Sequence, residues 1–419
     1  MQIEVITIGA ELLSGRVVDT NFAYIAKRLS EEGWTVFQHI SIPDEKKRIE
    51  ESVQQALKRS SIIFTTGGLG PTLDDCTKKV LAQLFGKTLQ PSLAIRQDLV
   101  ERFGQELASL EEQSTVPGET VLLRNKVGTA PGFLFEKDRK QVFVLPGVPL
   151  EMISMFEEEV LPKLRESMTQ RKRTYIQTLQ LCHLAENAID PLLRELQTLY
   201  PSVMSGIYPS YGTLGVEFKK ETYKEQEARR DLEACLEHVK KHYAAYIIST
   251  QGQSLAEVIQ AWMVAHKKTL VLAESCTGGH LAAKLVDVPG ASQYFLGSVV
   301  TYHNSIKTKA LGVKKKTLES YGAVSKEVVH EMVQGALQLS GADYALAVSG
   351  IAGPSGGTED KPVGTVWCAL GVRGQEPYIG KILAKGRAKR SSVIEYTANF
   401  MLGALWRHIA YGIKVLFPK

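Results

Sequence analysis

Thr269-Leu-Val-Leu-Ala-Glu-Ser-Cys-Thr-Gly-Gly-His-Leu-Ala-Ala-Lys-Leu-Val286 passes from an apolar run through a Ser/Thr/Gly turn into a helix-patterned stretch. Thr269–Glu274 reads as a buried strand, and a helix is predicted from Thr277 to about Val286. This strand–turn–helix unit is what doubly wound sheets are built from. Upstream, Ser254-Leu-Ala-Glu257 reads as a capping box opening a helix. Downstream come a strand at Ser298–Tyr302 and a helix capped by Ser325 running to about Leu339. Strands at Tyr344–Ser349 and Thr365–Val372 follow, then a long terminal helix from about Ser391. The first third has the same grammar, with strands at Glu4–Gly9, Thr35–Ile42 and Ile62–Thr66. Phe22, Ile25, Ala26 and Leu29 mark one helix face, and Ile49, Val53, Ala56 and Leu57 another. A helix over Cys76–Phe85, a strand at Val142–Leu145 and a helix from Pro149 to about Leu164 complete the segment. The fold class is α/β, with two doubly wound, mostly parallel domains.

Between them, Thr174–Thr250 reads as a small α+β connecting module. Its Gly212-Thr-Leu-Gly215 formally matches the GxxG loop of KH modules, but it lies inside a predicted hairpin near Tyr208–Phe218, where a plain turn is expected. The predicted division is 1–167, 174–250 (KH-like) and 254–419.

The chain has 419 residues, 44% hydrophobic and 23% charged, an ordinary globular composition. No apolar run is long enough to cross a membrane, and with no basic stretch ahead of an apolar run at the start, a signal peptide is not expected. Five scattered cysteines without CxxC spacing suggest neither disulfides nor zinc. A cytoplasmic location is expected. A net charge of +5 is too small to imply nucleic acid. Arg373–Lys419 carries nine Lys/Arg against two acids, a local excess of +7 that is either a solvated face or a site for a phosphorylated ligand.

Ser275 sits at a predicted strand-to-helix turn. Backbone N–H groups of Cys276, Thr277 and Gly278 would face the same space, with Gly279 completing the turn. That suits a nucleophile beside an oxyanion or phosphate donor set, the plain alternative being a helix cap. The candidate base is Lys307 in Thr301-Tyr-His-Asn-Ser-Ile-Lys307, provided burial lowers its pKa. His303 is the rival. Gly350-Ile-Ala-Gly-Pro-Ser-Gly-Gly357 allows close backbone approach to a ligand, and is neither a Walker loop nor GxGxxG.

AESCTGG, VTYHNSIK, GAVSKEVVHEM, SGIAGPSGG and KPVGTVW, in that order, resemble the C-terminal domain of the CinA family. The resemblance implies a nicotinamide-nucleotide amidohydrolase, which converts nicotinamide mononucleotide to nicotinate mononucleotide and ammonia without a cofactor. It implies catalytic roles for Ser275, Lys307 and Tyr302, and substrate contacts from Cys276, Thr277, Gly278, Gly279, Asn304, Gly353, Gly356, Thr365 and Arg390. Where the family usually has Gly-Asp-Arg before the last helix, this chain has Ala388-Lys-Arg390.

IGAELLSG, Asp19-Thr-Asn21, Gly67-Gly-Leu-Gly-Pro-Thr72, Asp74-Asp-Cys-Thr77, Gly128-Thr-Ala-Pro-Gly132 and Pro146-Gly-Val-Pro-Leu-Glu151 resemble the family's N-terminal domain, of MogA/MoaB type. The glycine-rich loop suits a phosphate or pyrophosphate, and Asp44, Asp74 and Asp75 are oxygen ligands of the kind Mg²⁺ takes. Helix-dipole acids are the plain alternative for the last two. The resemblance implies ADP-ribose hydrolysis with a divalent ion, at a site including Asn21, Gly67, Gly68, Gly70, Pro71, Thr72, Gly128 and Glu151. The chain departs from the family at Ile42-Pro-Asp44, in place of Val-Gly-Asp. It departs again at Leu110-Glu-Glu-Gln-Ser114, in place of Asn-Arg-Lys-Gln-Ala. Two acids for two cations imply a weak pyrophosphatase. The expected partners are these small molecules and a second copy of the chain, with neither membrane nor nucleic acid. The competing readings are a non-enzymatic nucleotide sensor or adaptor of competence or DNA damage, and a molybdopterin-binding protein.

Overall fold

The computed structural model describes residues 2–72, 75–105, 107–167, 172–384 and 389–416. The chain forms two compact units, Met1–Thr174 with Thr222–Lys224, and Tyr175–Glu221 with Glu225–Lys419.

In the first unit the strands are β1 (Ile3–Ile8), β2 (Gln38–Ile42), β3 (Ile62–Thr66), β4 (Leu89–Pro91), β5 (Thr115–Pro117), β6 (Val121–Leu123), β7 (Gly132–Lys137) and β8 (Lys140–Leu145). A six-stranded sheet has the order β2-β1-β3-β8-β7-β6. Its first four strands are parallel, and β7 and β6 are antiparallel additions. Alternation along β1 explains the double winding. Ile3 and Val5 pack with Ile25, Leu29 and Met152, while Ile6 and Ile8 pack with Ile49, Val53 and Ala56. The one acid in β1, Glu4, is buried and takes two hydrogen bonds from Arg59 at 2.7 and 2.8 Å and one from the Ser60 hydroxyl. β2 is shorter than predicted. The β4–β5 pair and the β6–β7 hairpin were not anticipated; β4, β5 and β6 have three residues each, too few positions for a pattern.

In the second unit, β9 (Arg173–Cys182), β10 (Met204–Ser210), β11 (Thr213–Thr222) and β12 (Ile247–Ser249) form a sheet of order β10-β11-β9-β12. Helices Glu186–Leu199 and Glu225–Tyr243 contribute to its core. Gly212-Thr-Leu-Gly215 lies in the β10–β11 hairpin, as a plain turn requires, and not between two helices. The sheet that follows has β13 (Leu270–Glu274), β14 (Phe295–Val300), β15 (Tyr344–Gly350), β16 (Thr365–Val372) and β17 (Tyr378–Leu383) in the order β14-β13-β15-β16-β17. The first three are parallel and the last two antiparallel. Leu270 and Leu272 face Ile259, Leu281, Leu285 and Met401, and Val271 and Ala273 face Val329, Met332 and Ala336. Two predicted boundaries are corrected. The strand placed at Ser298–Tyr302 ends at Val300, and the helix after Ser275 begins only at His280, because residues 275–279 form a tight turn with Gly279 in the left-handed region.

The terminal helix Arg390–Tyr411 is shared between the connecting module and the C-terminal sheet. Trp406 and Arg407 donate to the carbonyls of Ile247 and Ala245, at 2.8 and 3.0 Å. Arg407 also covers the Tyr246 ring. His183 is partly buried and neutral, its pKa pushed down to about 4 by desolvation. Its Nε2 donates to Phe400 O at 2.8 Å, which leaves Nδ1 to accept from Arg407. Gly403 is the contact point, since a Cβ there would meet Cys182 and the His183 ring at 3.0 Å. No helix among the described residues is long and apolar enough to cross a membrane.

Gly403→Leu should therefore lower stability by about 1–3 kcal/mol through overpacking, read as a lower thermal midpoint. An unchanged midpoint would show that this junction tolerates separation.

Candidate functional site

β13 ends at Glu274, whose side chain determines the turn that follows. Glu274 is buried and accepts from the amides of Gly279, Leu281 and Ala282 at 3.0, 3.1 and 3.0 Å, and from Ser298 Oγ at 2.9 Å. The carboxylate thus occupies the N-terminal end of helix His280–Val286, where orphan N–H groups and the dipole favour negative charge. Ser275 is fixed separately, its amide donating to Val348 O of β15 at 3.1 Å.

Lys307 lies in helix Asn304–Leu311, which His303 caps by accepting from Ser305 N. The rival base is thereby engaged as a helix cap. Lys307 is 1% exposed. Gly335 permits this burial, because a Cβ there would run into the Leu311 carbonyl and force the lysine helix outward. Lys307 Nζ lies 2.9 Å from Ser275 Oγ and donates to Thr301 O at 2.6 Å. Desolvation lowers its pKa to about 8, opposed by the neighbouring Cys276. About a tenth of it is then neutral at pH 7, and about half at pH 8. Cys276, the adjacent thiol, is buried and pushed up to about 12 by desolvation, so it stays protonated and inert.

Beside this pair, polar groups are left without partners. Among the described residues, the amides of Cys276 and Thr277 bond to no other residue, and Thr277 Oγ1 is buried without a partner. Orphaned buried donors are rare in native proteins and mark a place where a ligand completes the bonding. The expected third donor, Gly278 N, is engaged with Ser275 O at 3.1 Å, and Gly279 N is held by Glu274.

The remaining candidates fall on two neighbouring features. Arg390 donates to Gly353 O at 2.9 Å and to the Tyr302 hydroxyl at 2.7 Å, so these three meet. Tyr302 is exposed and joins Arg390, not the Ser–Lys pair. Thr365 is buried at the start of β16, and its loop partner Ile351 donates to its carbonyl at 2.8 Å. Gly356 is exposed in that loop, and Asn304 opens the lysine helix with its side chain at the surface. A cleft of about 730 Å³ is lined by Thr277, Gly278 and Gly279 together with Ser391 and Ser392 of the terminal helix. His280 and Glu395 also line it, paired at 2.6 Å. Burial opposes ionisation of Glu395, but Lys284 and His280 hold its pKa below the usual range. Sequence reasoning missed Glu274, Thr301 and Glu395. A carboxylate closing an otherwise apolar strand was the available signal for Glu274. The others are brought in only by tertiary contacts.

In the first unit, Asn21 donates to Thr66 Oγ1 and Gly147 O at 2.9 and 2.8 Å, leaving its own Oδ1 buried and unpartnered. Gly67 and Gly68 follow β3, and the turn closes where Thr77 N donates to Gly68 O. Thr72 donates to Asp75 Oδ2 through its amide and hydroxyl at 3.0 and 2.6 Å, so Gly70, Pro71 and Thr72 fold around that carboxylate. Asp44 Oδ2 accepts from Ala10 N at 2.9 Å. Gly128 and Glu151 sit together through Asn125, which donates to Glu151 at 2.6 Å and accepts from Gly128 N. Asp74 lies outside the described residues. Asp44 and Asp75 are hard oxygen donors suited to a divalent cation. Among the described residues no three His, Cys, Asp or Glu side chains gather as a metal site. Glu112, expected to repel an anion, pairs with Lys79 at 2.9 Å while its carbonyl accepts from the buried Lys78.

The sequence profile of the CinA C-terminal domain matches residues 252–409, and that described as "Probable molybdopterin binding domain" matches residues 4–166. A competence-damage inducible protein of Caldanaerobacter subterraneus is 38% identical over 93% of this chain and 94% of its own length. A CinA-like protein of Dictyoglomus thermophilum is 36% identical over 90% of this chain and 92% of its own. The solved competence damage-inducible protein A of Klebsiella pneumoniae covers 38% of this chain and 96% of its own at 38% identity, with a TM-score of 0.36. Thermus MoaB covers 40% of this chain and 92% of its own at 20% identity and 0.29.

Lys307→Met should abolish any activity based on Ser275 yet raise stability. Because the folded pKa of about 8 lies below the unfolded value of 10.5, the buried protonated amine penalises folding below pH 8. The penalty is of order 3 kcal/mol and disappears as pH rises through that interval. The gain in thermal midpoint should thus be larger at pH 6.5 than at pH 10. A gain independent of pH would refute the burial argument.

Proposed function

Because the chain belongs to the CinA family, we propose that its C-terminal domain is an amidohydrolase acting on nicotinamide mononucleotide. The observation that carries this reading is the buried Lys307 amine 2.9 Å from Ser275 Oγ. A hydroxyl needs a base to attack an amide, and a lysine serves only when desolvation makes it partly neutral. The neutral amine takes the Ser275 proton as Oγ bonds to the carboxamide carbon. The amides of Cys276 and Thr277 receive the negative charge that develops on the carboxamide oxygen. The C–N bond then breaks, and the protonated Lys307 returns its proton to the departing nitrogen, which leaves as ammonia. Water, deprotonated by the same amine, hydrolyses the ester to the carboxylate and frees Ser275. No cofactor enters these steps. The unpartnered Thr277 hydroxyl and the cleft beside Ser391 and Ser392 accommodate the rest of the nucleotide. Arg390, tied to Gly353 and Tyr302, is the cation assigned to the phosphate.

Purified protein with nicotinamide mononucleotide should release ammonia, at a rate that rises with pH through about 8 as Lys307 loses its proton. Ser275→Ala should lower that rate by at least a thousandfold with the fold intact. Near-normal release from the variant would remove Ser275 from the mechanism, and no release from the wild type would favour a non-enzymatic sensor.

For the N-terminal domain, we propose weak ADP-ribose hydrolysis dependent on a divalent ion, which Asp44 and Asp75 would hold together with Asp74. The ion would neutralise pyrophosphate charge and activate water. Glu112 occupies Lys79, withdrawing one cation from the helix that follows the glycine loop. Glu111→Arg combined with Glu112→Lys should raise the rate of AMP release several-fold. Efficient hydrolysis by the wild type, lowered by the double substitution, would contradict this.

A further inference from the structure

The cleft that Thr277 lines is not made by the C-terminal domain alone. Tyr211, at the tip of the β10–β11 hairpin in the connecting module, lines the same cleft as Thr277, Gly278, Ser391 and Ser392. Its backbone is anchored to the terminal helix. Asn399 Nδ2 donates to Tyr211 O at 2.9 Å, and the following Gly212 lies against the Tyr396 ring. The side chain has no such restraint. It is 49% exposed, and among the described residues its hydroxyl makes no hydrogen bond and its ring meets no aromatic or cationic partner.

Tyrosine is also an unusual choice for this position. Ser210 and Thr213 are paired, so Tyr211-Gly212 is a two-residue hairpin loop, with φ +21° at Tyr211 and +90° at Gly212. Such loops favour Asn-Gly or Asp-Gly, because Asn and Asp tolerate positive φ far better than an aromatic residue. A residue that breaks its local rule, has no hydrogen bond or ring partner among the described residues and lines a cavity points to a ligand.

We propose that Tyr211 is a substrate-binding residue of the amidohydrolase site. Its ring packs on the ribose of the bound nucleotide and makes the enzyme prefer the mononucleotide to free nicotinamide. This rests on the function proposed above. A sugar offers an apolar C–H face to an aromatic ring, and a ring on two rigid torsions loses little entropy on contact. The connecting module would then be part of the site, supplying specificity while Ser275 and Lys307 supply the chemistry.

The test compares wild type, Tyr211→Ala, Tyr211→Asn and Tyr211→Phe with nicotinamide mononucleotide and with nicotinamide. Tyr211→Asn removes the ring while giving the turn its preferred residue, so it guards against a folding defect. Both ring-less variants should raise KM for the mononucleotide about tenfold with little change in kcat. Tyr211→Phe should remain within about twofold of wild type, and turnover of nicotinamide should be unaffected. Calorimetric titration of mononucleotide into Ser275→Ala, with and without Tyr211→Asn, should show the same tenfold loss of affinity without any turnover. If wild type releases ammonia but KM and affinity ignore the ring, the Tyr211 assignment alone is wrong. If wild type neither binds nor deamidates the mononucleotide, the proposed function falls and this assignment with it.

Discussion

A buried carboxylate needs hydrogen-bond donors around it, and Glu274 finds them at the N-terminus of helix His280–Val286. Three amides and the Ser298 hydroxyl converge on it, which forces the chain after β13 to fold back over its own strand end. The consequences reach the neighbours. Residues 275–279 must form a tight turn, and Ser275 must project where its amide meets Val348. The amides of Cys276 and Thr277 are left out of the pattern. A helix N-terminus often serves as an anion site for a ligand. Here the protein's own Glu274 side chain fills it, so the donors offered outward are those of the turn.

The Ser275–Lys307 pair shows the opposite use of burial. Glu274 is buried among several donors, whereas among the described residues Lys307 has one carbonyl and one hydroxyl for partners. That deficit keeps its pKa near 8, and an amine fully compensated by carboxylates would stay protonated. Reactivity and stability therefore draw on the same interaction with opposite signs, as expected where a site is held in a costly electrostatic state. The close packing that holds it there depends on the absent side chain at Gly335.

The N-terminal domain has a comparable loop but a different electrostatic balance. Its turn is organised by Asp75, which accepts two bonds from Thr72 across Gly70 and Pro71. The nearby cations Lys78 and Lys79 are drawn toward residue 112, one by its carbonyl and one by its carboxylate. Glu112 therefore acts twice, adding negative charge and occupying positive charge already present.

Period-2 and 3.6-residue patterning in the sequence determined both doubly wound sheets, since β1 and β13 must alternate to serve two cores. The Ser275 turn and the Lys307 helix were legible as motifs, because residue type and local order carry that information. Their meeting was not, for they stand 32 residues apart in sequence and only the parallel pairing of β13 with β14 brings the following segments together. The same limit applied to helix and strand ends near the site. The helix after Ser275 starts later than its pattern implied because residues 275–279 form a tight turn with Gly279 in the left-handed region, closed by the Glu274 side chain on the amides of Gly279, Leu281 and Ala282. The sequence also showed a tyrosine in a hairpin turn without showing what lay beneath it. That was decided by the terminal helix, which anchors the hairpin through Asn399 and carries Ser391 and Ser392 to the same cleft. Local order is written in short-range periodicity, whereas a pKa, an orphaned hydroxyl or a shared wall depends on which distant segments exclude water together.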